Sequence, residues 1–249
     1  MRPLQVITDS FLEDPALDTA LSRALLERVA AGELPETLRI ARPAPILAFG
    51  KQDVVSSGYA SAARAARDRG FAPVVRLAGG RAAVFHEGTI AFGHAIPEPD
   101  ARSGVVLRFE RIAALMAAAF RRLGVDARVG EVAGEYCPGG YSVNARGRTK
   151  LMGVGQRLVA GAAHVGGVVV VDGAERVRHA LVPVYEALGL QWDPRTAGSL
   201  ADERPGLRWG DVVEAIQDEY DERFELEEAQ IDPETLALAR RLAPEYRVP

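Results

Sequence analysis

Apolar residues recur at every fourth position in Leu17, Leu21, Leu25 and Val29, the spacing that gathers one face of an α-helix. Asp14 and Pro15 mark its start, an acceptor side chain at the cap and proline at the first helical position, and Gly32 closes it. Extended runs follow at Thr37–Ala41 and Ile46–Phe49, each flanked by proline or glycine. A short helix over Tyr59–Arg69 stops at Gly70. Strands are predicted at Pro73–Leu77, which runs into the pair Gly79–Gly80, and at Thr89–Ile96, which stops at Pro97. Phe109, Ile112, Met116, Phe120 and Leu123 form the best amphipathic face, with Ser103 as its expected cap and Gly124 beyond it.

Further strands are predicted at Asp126–Val129, Tyr141–Ala145, Lys150–Ala160 and His164–Asp172. Pro183 is expected to split the next helical pattern into two pieces. Residues 1–188 read as the main domain, 189–208 as a linker rich in proline, glycine and charge, and 209–249 as a short helical extension. That extension holds two helices, the second started by Asp232–Pro233. Strands and helices mix without strict βαβ alternation, which points to an α/β (α+β) fold with a mixed sheet rather than a doubly wound one.

Composition changes this picture little but excludes much. The 249 residues are 48% hydrophobic and 26% charged, ordinary globular usage. A net charge of −4 without a basic stripe argues against nucleic acid as a partner. No apolar run approaches the ~20 residues of a membrane span, and the start, MRPLQVITDSFLED, has no signal-peptide core. A single cysteine cannot close an intrachain disulfide, so a cytoplasmic protein is expected.

Three segments are candidates for chemistry. RLAGGRAAVFHEG (Arg76–Gly88) sets two glycines straight after a strand, where they serve either a tight turn or close approach of backbone N–H groups to a ligand. GEYCPGGY (Gly134–Tyr141) places Cys137 in a glycine- and proline-rich loop, as either an inert or a reactive thiol. KLMGVGQR (Lys150–Arg157) opens on one of only two lysines, Lys51 and Lys150. A lysine there is either a solvated strand end or a cation that stabilises a thiolate and an acyl carbonyl oxygen. His86, His94, His164 and His179 show no metal-ligand spacing, so no metal is expected. Walker, dinucleotide and GxSxG motifs are absent.

In this order the segments resemble the biotin/lipoate protein ligase and octanoyltransferase superfamily. The resemblance runs from about Asp14 to Leu188: DPALDTALSRALLERVAAGELPETLRI into PAPILAFGKQ, then VVRLAGGRAAVFHEGTIAFGHAI, then KLMGVGQR. RxAGGxA with YCPGxY ahead of the lysine is similar to the branch that moves octanoyl or lipoyl groups between carrier proteins. ATP-using ligases instead carry three glycines after paired arginines. The resemblance implies a class II aminoacyl-tRNA/biotin synthetase-like fold, a mixed and largely antiparallel sheet flanked by helices. It implies Cys137 as the acyl-accepting nucleophile and Lys150 as the acyl-carbonyl ligand. Arg76, Gly79 and Gly80 would line the acyl pocket with Gly153 and Gln156 beside it, along with His86, whose role stays open. Cys137 and Lys150 stand 13 positions apart, one more than the branch leads one to expect, so a bulge near Arg146–Arg148 is implied. An apolar tunnel is expected around Val154 and Val168–Val171.

The implied activity is acyl transfer in protein lipoylation, from a carrier protein such as octanoyl-GcvH to the lysine of a lipoyl domain. The implied partners are lipoyl-domain proteins, GcvH and the E2 subunits of 2-oxoacid dehydrogenases, with no resident cofactor. Three rivals share the fold: an ATP-dependent lipoate ligase, an octanoyltransferase fed by acyl carrier protein, and a non-catalytic acyl-binding protein. The short tail from Trp209 speaks against the accessory domain of classical ligases.

Overall fold

In the computed structural model, which describes all residues from Met1 to Pro249, the chain opens with strand β1 (Arg2–Ile7) and helix α1 (Pro15–Ala30). Strands β2 (Thr37–Ala41) and β3 (Ile46–Phe49) precede the short helix α2 (Lys51–Val54) and helix α3 (Tyr59–Asp68). Strands β4 (Ala72–Val75), β5 (Ala83–Phe85) and β6 (Thr89–Pro97) lead to the long helix α4 (Val105–Arg122). Four more strands follow: β7 (Ala127–Val129), β8 (Val143–Ala145), β9 (Thr149–Val159) and β10 (Ala162–Val170). Helices α5 (Ala174–Ala187), α6 (Leu200–Glu203) and α7 (Trp209–Asp221), strand β11 (Phe224–Ala229) and helix α8 (Pro233–Leu242) complete the fold.

Eight strands form one sheet in the order β11-β1-β2-β6-β10-β9-β8-β7, and β4-β3-β5 form a second. Only β1 pairs in parallel within the large sheet, with β11 and β2; the other five pairings are antiparallel. The mixed, largely antiparallel sheet flanked by helices is the expected class. Helices α4 and α7 pack together over one face, burying Ile112, Met116, Phe120 and Ile216 with Val165 and Val169. The small sheet, α3 and α5 build a second core around Phe49, Phe71, Leu181 and Tyr185. Asp14 caps α1, accepting from the Ala16 and Leu17 amides at 3.2 and 3.3 Å, and Leu17, Leu21, Leu25 and Val29 are all buried.

Several elements depart from the sequence reading. Helix α5 is continuous through Pro183. Proline removes one backbone bond, to the carbonyl of exposed His179, at a cost of about 3 kcal/mol. Burial of Val177, Ala180, Leu181, Val184 and Tyr185 on both sides of it offsets that cost. Ser103 does not cap α4; its hydroxyl donates to the Asp100 carbonyl at 3.1 Å, and the helix starts after Gly104. Phe109 leaves the core face and stacks on Tyr141, with ring centroids 4.9 Å apart.

Residues 189–208, read as a linker, hold a 3₁₀ turn (Pro194–Thr196) and α6, with Ala197 and Leu200 buried and Ala197 bridged to Lys150. Residues 209–249 add β11 to the main sheet, and α8 packs on α1. Strand β11 was invisible because its sequence, FELEEA, carries three glutamates, as an exposed edge strand can.

The antiparallel turn between β8 and β9 has Arg146 and Gly147 at φ +54° and +71°, the two left-handed residues of a tight hairpin. The extra residue in this hairpin is Leu151, not one near Arg146–Arg148, because Val143 faces Met152 while Asn144 faces Lys150. A bulge lets neighbours leave strict alternation. Leu151 and Met152 both enter the α4 core, while Lys150 hydrogen-bonds the loop that carries Cys137.

His164 on β10 is buried over Gly93 and Gly166, where an added Cβ at either would come within 2.5 Å of its ring. Burial, then the positive fields of His94 and Arg76, push its pKa down to about 4. As pH falls below the ordinary value of about 6.5, the unfolded chain takes up a proton that the folded chain refuses until about pH 4. Stability from this group is therefore present above pH ~6.5 and is lost between there and pH ~4, by about 3 kcal/mol. Urea unfolding at pH 7, 5.5 and 4 is expected to show the decline, flattened in His164→Gln. An equal decline in the variant would assign it to other groups.

Candidate active site

Glu135 sets the shape of the loop between β7 and β8. Its carboxylate is fully buried and accepts four bonds: from the Ser142 hydroxyl (2.6 Å), the Gly139 and Val132 amides (3.2 and 3.0 Å) and Lys150 Nζ (2.9 Å). Lys150, 1% exposed, donates its other protons to the carbonyls of Tyr136 (3.0 Å) and Cys137 (2.7 Å). Three ammonium protons thus meet three acceptors, and the nitrogen lies 4.9 Å from the centre of the Tyr136 ring. The Cys137 amide donates to the Tyr185 hydroxyl at 2.8 Å, which donates to the Ala82 carbonyl at 3.0 Å. Burial raises the pKa of both Tyr136 and Tyr185 and keeps their hydroxyls protonated, which leaves Tyr185 its proton to donate. Held from three sides, Cys137 adopts φ +44°, a left-handed conformation that costs a non-glycine residue about 1–2 kcal/mol.

The glycine segment supplies the partners of the sulfur. Cys137 Sγ accepts from the Arg81 amide at 3.1 Å and faces Arg76 Nη1 at 3.7 Å. Both are donors and one is a cation, so charge on the sulfur is compensated where it sits. Asp53, fully buried, anchors this loop from α2: it pairs with the Arg81 guanidinium at 3.2 Å and accepts from the Gly50 amide at 2.9 Å. Gly50 has to be glycine, since a Cβ there would fall 1.7 Å from the Gly80 carbonyl oxygen. Gly80 itself has φ +112°, and a Cβ on it would lie 2.9 Å from Cys137 Sγ. Gly80→Ala is expected to move the sulfur off the Arg81 amide and slow iodoacetamide alkylation of Cys137 about tenfold, the loss of one charge-assisted bond. An unchanged rate would show that the glycine does not position the thiol.

Cys137 opens onto a groove of about 490 Å³. Strand β8 ends opposite Met152, so β9 has no strand partner on its outer edge from Gly153 onward, and the groove runs along that edge. Arg76, Gly79, Gly80, Lys150, Gly153 and Gln156 all line it with Cys137. Its walls are apolar: Ala83, Val154, Leu158 and Val168, with the Phe109–Tyr141 stack on the α4 side. Of the expected tunnel, Val154 and Val168 take part, whereas Val169, Val170 and Val171 are buried in the two cores. Gln156 donates to the Val105 carbonyl (2.7 Å) and accepts from Arg108 Nε (3.1 Å), which ties β9 to α4.

His86 does not join this group. It is buried at the β5–β6 turn, its Nδ1 accepting from the Gly88 amide at 3.0 Å and its ring packed on Gly88 and Gly173. Burial, then Arg176, lower its pKa and keep it neutral. The turn bends VFHEG back on itself, so the histidine points to that packing rather than to the sulfur. Sequence reasoning missed Glu135, Asp53 and Tyr185. An acid two residues before the cysteine was a usable signal for Glu135; Tyr185, 48 positions away, had none.

Curated relatives match this sequence, one of them over most of its length. The chain is 29% identical over 231 residues, 93% of its own length and 77% of the relative's, to octanoyl-[GcvH]:protein N-octanoyltransferase of Geobacillus kaustophilus. It is 35% identical over 124 residues, 49% of its length and 44% of the relative's, to the protein of the same name from Exiguobacterium sibiricum. Among solved structures, a bipartite lipoate protein ligase from Thermoplasma acidophilum, described with its E2 lipoyl domain, superposes with TM-score 0.74 at 16% identity over 98% of this chain and 93% of that one. A lipoate-protein ligase A bound with ATP gives 0.75 at 16% identity over 98% and 95%. These likenesses establish the fold. Residues 14–221 match the model of the lipoyl protein ligase A/B catalytic domain, and the chain belongs to that family.

Proposed function

We propose that the chain transfers an octanoyl group from a carrier protein to a lipoyl-domain lysine through a thioester on Cys137. The observation that carries this reading is the sulfur itself. It sits on a strained turn, receives the Arg81 amide at 3.1 Å with Arg76 behind it, and opens on an apolar groove. The names of the relatives supply the donor class, octanoyl-GcvH; in this reading its acyl group is an amide on a lysine.

In the first half-reaction the Cys137 thiol attacks the amide carbonyl, the C–S bond forms, the C–N bond breaks, and the thiol proton passes to the leaving amine of the donor lysine. The acceptor lysine amine then attacks the thioester, the new C–N bond forms, the C–S bond breaks, and the amine's proton returns to the sulfur to restore the thiol. One amide is exchanged for another, so the balance needs neither ATP nor a resident cofactor. Arg76 faces the developing charge. Lys150 acts first as a positioning residue, and it reaches the acyl carbonyl by exchanging its bond to the Cys137 carbonyl. Gly79, Gly80, Gly153 and Gln156 shape the groove for the chain.

The acceptors in this reading are the lipoyl domains of GcvH and of 2-oxoacid dehydrogenase E2 subunits, and the compartment is the cytoplasm. No helix is long and apolar enough to cross a membrane. Mixing the protein with octanoyl-GcvH and an unmodified E2 lipoyl domain is expected to octanoylate the domain at equal rates with and without ATP. Modification only from free octanoate with ATP, undiminished in Cys137→Ala, would establish a ligase instead.

A further inference from the structure

The Cys137 groove adjoins a second hollow of about 440 Å³, with Gly79, Gly80, Gln156 and Leu158 common to both. Every residue of β9 from Gly153 to Leu158 lines one hollow or the other. Successive side chains of a strand point to opposite faces, so a run of consecutive residues meets a hollow along the strand's edge. That edge carries unused backbone groups. Strand β8 leaves β9 at Met152, and on its other side β9 pairs with β10 as far as Val159, with the Gly153 carbonyl against Gly167. Alternate residues share an orientation, so Gly153, Gly155 and Arg157 pair with β10, while Val154, Gln156 and Leu158 turn their N–H and C=O groups to the open edge. None of these outward groups has a backbone partner elsewhere in the protein.

The charge around this edge has one sign. The chain holds 34 acidic and 30 basic residues, yet no acidic residue lines either hollow, whereas Arg76, Lys150, Lys51 and Arg157 do. Lys150 is held by Glu135, and Arg76 faces the Cys137 sulfur. Lys51, exposed at the start of α2, and Arg157, partly exposed on β9, enter no ion pair. Lys51 is the second of only two lysines, and the site described above gives it no task.

We propose that this edge docks the protein that carries the reacting lysine: an extended, acidic segment beside that lysine adds to β9 from Val154 to Leu158, and Lys51 and Arg157 take its carboxylates. The inference rests on the reading of Cys137 as acyl carrier and names how its partner is held. The edge decides the class of ligand, because alternating N–H and C=O groups match a polypeptide strand. A free phosphate would meet the outward carbonyls as well as the amides. The unpaired cations decide the composition of that strand. The edge from Val154 to Leu158 spans about 13 Å, so the acidic residues stand within about five positions of a lysine placed at the Cys137 end.

The test uses the full chain as Cys137→Ala, which binds without turnover, and an unmodified E2 lipoyl domain. On complex formation, hydrogen exchange at the Val154, Gln156 and Leu158 amides is expected to slow about tenfold or more. Lys51→Glu and Arg157→Glu are each expected to weaken binding about tenfold or more, as is changing the acidic residues within about five positions of the domain's lysine to amides. Arg240→Glu, at an exposed cation on α8 outside both hollows, is expected to leave binding unchanged. Leu158→Pro removes an outward N–H and none that faces β10, so it is expected to weaken binding while the thermal midpoint is kept. Unslowed exchange at the three amides in the complex, or equal weakening by Arg240→Glu and Lys51→Glu, would overturn the proposal. Transfer through a Cys137 thioester with the edge unprotected would remove the docking alone; a protected edge without a thioester would remove the mechanism alone.

Discussion

Replacing Cys137 with alanine is expected to lower octanoyl transfer by about 10⁴-fold or more while leaving the fold intact, as for nucleophiles that act as a unit with their surroundings. The side chain is only partly buried and contributes one sulfur at the margin of the second core. Alanine keeps the Cβ, so the strain at φ +44° is unchanged, and the bonds from the Cys137 amide and carbonyl remain. What disappears is the atom that Arg81 and Arg76 address. Transfer measured by mass of the lipoyl domain, alongside thermal unfolding of the variant, separates the two effects. Activity within tenfold of the parent protein would remove the sulfur from the mechanism.

Lys150→Met is expected to cost about 3–5 kcal/mol of stability, because it strands the Glu135 carboxylate in the interior without its cation. Glu135 keeps its bonds from Ser142, Gly139 and Val132, but it loses the charge that faced it at 2.9 Å. The Tyr136 and Cys137 carbonyls lose their donor as well, so the Cys137 turn loosens. Transfer is expected to fall about 100-fold or more, the scale of an ångström-level displacement of a reacting group. Pairing Lys150→Met with Glu135→Gln is expected to restore part of the stability, since the buried charge is removed together with its partner, but little of the activity. Urea unfolding of the two single variants and the double variant makes the cycle. A loss below about 1 kcal/mol in Lys150→Met would mean that the pair is not what holds the loop.

Much of this arrangement was legible where local rules and tertiary packing agree. The fourfold leucine spacing and the Asp14–Pro15 start located α1, and Gly124 marked the end of α4. The segment carrying the two glycines after β4 and the cysteine loop are both candidates for chemistry by sequence, and they meet where the Arg81 amide donates to Cys137 Sγ at 3.1 Å. Legibility failed where distant packing overrules a local rule. Pro183 lies inside α5 because the buried face around Leu181 and Val184 holds the helix together. Strand β11 exists because β1 offers it an edge, not because FELEEA has strand character. His86 sat in the right motif and turned the other way, since proximity in sequence to Gly79 and Gly80 says nothing of where a ring packs after a β-turn. Lys150 was singled out for its rarity and expected at the acyl carbonyl. Its three bonds within the protein show a prior task, holding Cys137 in place.

The most direct measurement is the intact mass of the protein after brief mixing with octanoyl-GcvH in the absence of ATP and of any acceptor. One added octanoyl group is expected, mapping to the peptide that contains Cys137, released by neutral hydroxylamine and absent in Cys137→Ala. The same adduct formed by Cys137→Ala, or transfer at full rate with no adduct on Cys137, would contradict a thioester route.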